Sequence, residues 1–366
     1  MNFKDKRIVW FTADYFVDVD AKLVPYLRDV IGLNIDWVVM RGWHKTIQIP
    51  EGLGCRVYDS HYYGLDPRSG WEYRKLLKQM DVCHADLIYN DSIGMPYLYP
   101  ILHRMTKKSM PIVHAAHNVI PYPVWGWKLK QFVKYIFKHN DYFQLFSKFT
   151  AEYFKKHYPK KSMFYCPMTF KSYGNVTTDK YPFDASKVNL LFFGNVVANK
   201  RLDLLIEAVK QLPADVKDRV HLNICGKCSN PESYKTMIGN NSHISAFFKR
   251  IDDEEVAELF TKSSYLMLPY EDVAQSGPHM IAYNYNLPVI ASDIEGFAER
   301  VVDGENGFLF ERNQVDSLIE TIIKAACLSS KEYEDLKKNL ATYATENFGL
   351  ENVAQRYIDY FKSVVK

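Results

Sequence analysis

Thirteen short runs rich in β-branched or aromatic residues, alternating with loops and amphipathic helical stretches, constrain this chain more than any other feature. They fall near 7–13, 35–41, 55–60, 86–90, 111–117, 142–147 and 163–167, and again near 188–194, 219–225, 244–249, 264–269, 287–291 and 307–310. Helical stretches such as 201–212 (RLDLLIEAVKQL) and 253–262 (DEEVAELFTK) lie between them. Strands alternating with helices predict parallel sheets in an α/β fold. A chain of 366 residues is too long for one ordinary core and suits two doubly wound domains. The polar stretch 169–187, with Gly and Pro, marks the boundary, giving a domain over 1–170 and another over 171–350. A last helix within 351–366 carries Val353, Tyr357, Tyr360 and Phe361 on one stripe and is expected to pack back on the first domain.

The residues at 1–11 include charges and lack a long apolar run, so no signal peptide is read there, and no stretch reaches the roughly 20 apolar residues of a membrane span. Six cysteines scattered at 55, 83, 166, 225, 228 and 327 suit reduced thiols and a cytoplasmic chain. The lone CxxC of Cys225 and Cys228 is weak as a zinc motif, and no metal site is expected. The net charge of +3 hides an asymmetry. Residues 1–184 hold 26 Lys and Arg against 17 Asp and Glu, a net of +9, and the remainder holds 20 against 26, a net of −6. The basic half is expected to meet something anionic.

In open α/β sheets ligands gather beyond the carboxyl ends of strands. Three places there carry chemistry. In 190–208 (LLFFGNVVANKRLDLLIEA) a strand ends at Gly194, Asn195 follows, and Lys200 and Arg201 precede a helix. Glycine admits a ligand to the backbone, and cations at a helix start neutralise phosphate. In 266–293, Gln275, Ser276 and Gly277 precede Pro278, a residue favoured in a first helical turn, so the free amides there form a second anion cradle. In 112–123 (IVHAAHNVIPYP), His114 is expected inward and His117 at the strand tip, within reach of a ligand. Each feature alone is common in chains that bind nothing. Asp18 and Asp20 superficially match a metal-binding DxD, but Asp20 is better read as the cap of a helix over 21–30.

Taken in order, these segments resemble the retaining family-4 glycosyltransferases of GT-B fold, which have two Rossmann-like domains facing across a cleft. Gly194 and Lys200 stand at the places of that family's Gly-loop-Lys segment, 287–310 (LPVIASDIEGFAERVVDGENGFLF) is similar to its most recognisable block, including Glu299 and Gly304, and His117 matches its N-terminal histidine. The family's paired glutamates fall on Val273 and Ile281, its first arginine on Asn195 and the glycine after its lysine on Arg201. The Gln-Ser-Gly of 275–277 resembles a branch that lacks the glutamates.

The resemblance implies transfer of a sugar from a UDP- or GDP-sugar to a glycan or polyprenyl-diphosphate-linked acceptor in surface polysaccharide synthesis, with neither cofactor nor metal. His117 and Lys200 would be catalytic, and Gly194, Asn195, Lys200, Arg201, Gln275, Ser276, Gly277 and Glu299 would hold the donor. Within 125–140, Leu129, Phe132, Val133, Ile136 and Phe137 form one helical face beside Lys130, Lys134 and Lys138. That pattern suits peripheral contact with an anionic membrane on its cytoplasmic face. A non-catalytic nucleotide-sugar-binding partner and an epimerase of the same fold stay open as alternatives. No recognition helix or aromatic-basic repeat supports binding of nucleic acid.

Overall fold

The computed structural model describes residues 3–42, 49–62, 64–92, 95–119, 126–176, 180–273 and 275–365. It divides into two compact units, Met1–Thr169 with Leu350–Lys366, and Phe170–Gly349. Each is built on one parallel sheet.

In the first unit, β1 (Arg7–Ala13), β2 (Asn34–Arg41), β3 (Arg56–Asp59), β4 (Leu87–Asp91), β5 (Ile112–Ala116), β6 (Tyr142–Leu145) and β7 (Ser162–Tyr165) lie in the order β3-β2-β1-β4-β5-β6-β7. Strand periodicity sorts side chains to two faces. Val9, Phe11, Val38 and Met40 meet Tyr73, Leu76, Leu102, Ile136, Phe137 and Phe154 in one buried cluster. Trp10, between them in sequence, faces the other way. Its ring lies tilted against Tyr89 at 3.9 Å and meets Tyr357 and Phe361 of the helix Leu350–Val364. The stripe read from the sequence is thus a core stripe, with Val353, Tyr357, Tyr360 and Phe361 all buried.

The helix Trp127–His139 corrects a reading. Val133, Ile136 and Phe137 belong to the core of the first unit, and Leu129 and Phe132 are half-buried, so its apolar face is already covered. What remains outside is Trp127 with Lys128, Lys134 and Lys138. Trp125 and residues 120–123 of the histidine segment lie outside the described residues. No described helix is long and apolar enough to cross a membrane.

In the second unit, β8 (Val188–Phe193), β9 (Val220–Cys225), β10 (Ile244–Phe247), β11 (Tyr265–Leu268), β12 (Val289–Ser292) and β13 (Gly307–Phe310) lie in the order β10-β9-β8-β11-β12-β13. In both sheets the chain reverses its direction of travel once, beside β1 and β4 in the first and beside β8 and β11 in the second. Crevices at such switch points are where open α/β sheets take ligands.

Candidate functional site

At the switch point of the second unit, β8 delivers Gly194 at its carboxyl end with a φ of 107°, a conformation that favours glycine. Gly194 N donates to Cys225 O at 2.9 Å. A Cβ added to Gly226 would stand 2.0 Å from the Gly194 carbonyl, so two glycines let the β8 and β9 loops touch. Val196 N then donates to Lys227 O at 2.7 Å, and Val196 bridges to Cys228. Cys225 thus ends a strand and Cys228 joins this loop contact, and all six cysteines are free thiols.

The loop after Gly194 turns through a short 3-10 segment, Ala198–Lys200, and brings the Lys200 ammonium back over it. A Cβ on Gly194 would stand 2.9 Å from Lys200 Nζ and 3.6 Å from Pro278 Cγ. Lys200 Nζ lies 5.1 Å from the centre of the Tyr270 ring, and no carboxylate pairs with it among the described residues. Burial alone lowers this ammonium to about 8. A cation held in place before its counter-ion arrives is an anion site in waiting.

Opposite Gly194, the helix Gly277–Asn284 begins with Ser276 as its N-cap, whose hydroxyl accepts from His279 N at 3.4 Å, and with Pro278 in the first turn. The remaining first-turn amides and the helix dipole favour negative charge there. Gln275 is half-buried just before the cap, and Ala274 lies outside the described residues. A second cation stands here, because a Cβ on Gly277 would be 3.4 Å from Lys171 Nζ. Reasoning from the sequence missed Lys171, which lies in the polar stretch taken as a boundary and carries no local signal. The backbone of Val273, at a lost glutamate position, is packed so tightly on Gly296 that a Cβ there would meet the Val273 carbonyl at 2.0 Å.

The other expected donor contacts separate. Asn195 is exposed. Arg201, left-handed at φ 46°, gives its guanidinium to Asp203 at 3.0 Å and to Asn313, so it braces its own helix and is not brought beside Lys200. Glu299 is half-buried, with its carboxylate 3.0 Å from Arg300.

The first unit builds a different site at its own switch point. His117, just past β5, places Nε2 2.7 Å from Oδ1 of Asp91, the last residue of β4, with both side chains almost fully buried. Phe16 and Phe146 stack on the two faces of the imidazole at 3.8 and 4.3 Å. His114 points inward as expected, and burial, then His117, lowers it to about 3. Asp20 corrects the sequence reading. The helix spans Val17–Pro25, so Asp20 lies within it and caps nothing. Its carboxylate accepts from Trp10 Nε1 at 2.9 Å and Thr12 Oγ1 at 2.5 Å. Burial, then the charge of Asp91, pushes Asp20 up to about 8. Asp91 was overlooked because a lone aspartate at a strand end carries no spacing signal.

Known proteins place this geometry. The pattern that defines the glycosyl transferases group 1 matches residues 177–344, nearly the whole second unit. The second unit matches the group 1 glycosyl transferases. An uncharacterized glycosyltransferase of Methanocaldococcus jannaschii, MJ1069, is 26% identical over 285 residues, covering 74% of this chain and 71% of that protein. The GDP-mannose:glycolipid 4-beta-D-mannosyltransferase of Xanthomonas campestris is 22% identical over 70% of this chain and 73% of its own length. Anabaena HepE, solved with UDP and glucose, superposes with a TM-score of 0.72 over 98% of this chain and all of its own, at 14% identity. That likeness establishes the GT-B fold.

Proposed function

We propose that this glycosyltransferase moves a hexosyl residue from a UDP- or GDP-sugar to a glycan or polyprenyl-diphosphate-linked acceptor in surface polysaccharide synthesis, retaining the anomeric configuration. The observation that carries the donor half is Lys200, half-buried, without a carboxylate partner among the described residues, and standing over Gly194 beside the N-terminus of Gly277–Asn284. The nucleotide classes follow those named for relatives: HepE is seen with UDP, and the Xanthomonas protein is named for GDP-mannose.

The acceptor hydroxyl oxygen bonds to the sugar C1 as the bond from C1 to the diphosphate breaks. The diphosphate keeps the electron pair and takes the hydroxyl proton. Lys200, Lys171 and the first-turn amides stabilise the charge developing on the leaving group, a role a divalent cation fills in other transferases. Gly194 and Gly277 keep the backbone open to the phosphates, and Gln275 and Ser276 shape that end. Arg201 acts indirectly by fixing the helix that follows Lys200. His117 contacts the transferred sugar, and Asp91 fixes its tautomer through the bond at Nε2. Retention itself rests on the family resemblance, and NMR of the first-formed product reads it directly. Peripheral contact with an anionic leaflet on the cytoplasmic side would come from Trp127 and its neighbouring lysines, by charge more than by insertion.

The deciding test is thermal shift against a panel of nucleotide sugars, repeated with Lys200→Ala. A shift for one UDP- or GDP-sugar that the substitution abolishes supports the reading. Silence across the panel from folded protein overturns it.

A further inference from the structure

The second unit holds a cavity of about 630 Å³ at the opposite end of its strands from Lys200. Lys187 immediately precedes β8, His221 is the second residue of β9, and Ser264 immediately precedes β11, so the cavity opens at the amino ends of these strands. Gly194 lies past the other end of β8, about 20 Å away at 3.3 Å per residue. The two places share a sheet and no residue.

Its floor breaks the rule for a covered parallel sheet, whose strands read as continuous apolar runs. β11 and β12 obey that rule, with every residue buried. β8 and β9 do not. Asn189 pairs in register with His221, and Asn223, two residues on, points to the same face. His221 Nε2 lies 2.9 Å from Ser245 Oγ, whereas the Asn223 amide makes no hydrogen bond within the protein among the described residues. A half-buried amide left without a protein partner on a sheet face has no packing purpose.

The charge on the walls is equally one-sided. Lys180, Lys187, Lys262 and Lys337 line the cavity with a single acid, Asp184, whose carboxylate is taken by Ser186 N at 2.8 Å and Ser186 Oγ at 2.6 Å. Lys180 pairs with Glu258 at 2.9 Å, but Lys187 and Lys262 are exposed and form no ion pair among the described residues. Phe183 stacks on Tyr333 at 3.9 Å and gives the cavity an aromatic side. Cations for an acid group, amide and imidazole for hydroxyls, and a ring for the apolar face of a pyranose are together the chemistry of an anionic saccharide.

We propose that this cavity is a second, non-catalytic saccharide site that binds a phosphorylated or carboxylated sugar through Lys187, Lys262, His221 and Asn223. It does not rest on the donor assignment. The ligand is either a free sugar phosphate or a segment of an acidic glycan, and calorimetric titration of the whole chain separates them. The probes are glucose 1-phosphate, a glucuronate-containing tetrasaccharide, maltose as the neutral control and inorganic phosphate as the bare anion. All are run on the Lys200→Ala variant, so that signal at the donor site is absent.

One of the two anionic saccharides is expected to bind, and to weaken about tenfold or more in Lys187→Ala/Lys262→Ala. Asn223→Ala should weaken it several-fold and leave the response to inorganic phosphate unchanged. Lys187 and Lys262 are exposed, so their loss should not disturb folding, and unchanged UDP or GDP binding by the double substitution in an otherwise wild-type chain confirms that. Three results overturn the proposal: no binding of either acidic probe, inorganic phosphate binding as tightly as the saccharides, or affinity unaffected by the double substitution.

Discussion

Replacing Lys200 by methionine should make the second unit more stable while destroying its anion site. Burial takes the ammonium from its ordinary 10.5 to about 8, and each pKa unit corresponds to about 1.4 kcal/mol. At pH 7 the folded protein therefore holds this proton at a cost of roughly 2 to 3 kcal/mol, allowing for the part of the group that still meets solvent. Methionine keeps most of the aliphatic contact beside Tyr270 and removes the charge. For a unit of this size that is worth about 5 to 10 °C in melting temperature. The sign can be checked by pH. The unfolded chain keeps its proton up to about 10.5 and the folded chain releases it near 8, so the wild type gains stability as pH rises through that window. The gap between the two proteins should therefore close by about pH 10. Differential scanning calorimetry of both at pH 7 and pH 9.5, with and without UDP and GDP, reads all of this. A variant no more stable than wild type at pH 7, or a gap unchanged at pH 9.5, would refute the claim that Lys200 is an uncompensated cation.

Gly226→Ala puts a methyl group 2.0 Å from the Gly194 carbonyl at a φ of 152°, and should cost several kcal/mol and abolish nucleotide binding, seen as early melting of the second unit alone. Asp91→Ala and His117→Ala should each cost the first unit about 3 kcal/mol, and the double variant should cost clearly less than their sum in a urea cycle. Asp20, pushed up to about 8, keeps its proton in the fold. Its contribution is full below its ordinary value near 4 and fades as pH climbs through 8, so Asp20→Asn should flatten that decline in stability. Trp127→Ala/Lys134→Ala should reduce sedimentation with phosphatidylserine vesicles at low salt, and equal binding by both proteins would remove Trp127 and Lys134 from the membrane contact.

All thirteen strands lie within about two residues of where β-branched and aromatic runs placed them, because each run fills a sheet interior where little else fits. Helix edges were harder. The segment at 21–30 begins instead at Val17, since Asp20 prefers buried hydrogen bonds from Trp10 and Thr12 to a cap, a choice made by tertiary contacts. Lys200 and Gly194 were legible because glycine and lysine at a strand end carry a local signal. Lys171 and Asp91 were not, because what makes each matter is a neighbour far along the chain. The helix Trp127–His139 shows the converse limit: its periodicity is real, but a core and a bilayer ask for the same pattern.

The helix Leu350–Val364 has a consequence for how this protein is made. The sheet of the first unit is complete in sequence at Tyr165, yet the helix that covers Trp10 and Tyr89 leaves the ribosome only after the entire second unit. At 5 to 20 residues per second that interval is on the order of 10 to 40 s. For that time an aromatic face of the first unit is uncovered on the nascent chain, a natural place for a chaperone to hold. A premature stop between Gly349 and Tyr357 would release a chain whose second unit is whole and whose first lacks the side chains that cover Trp10 and Tyr89.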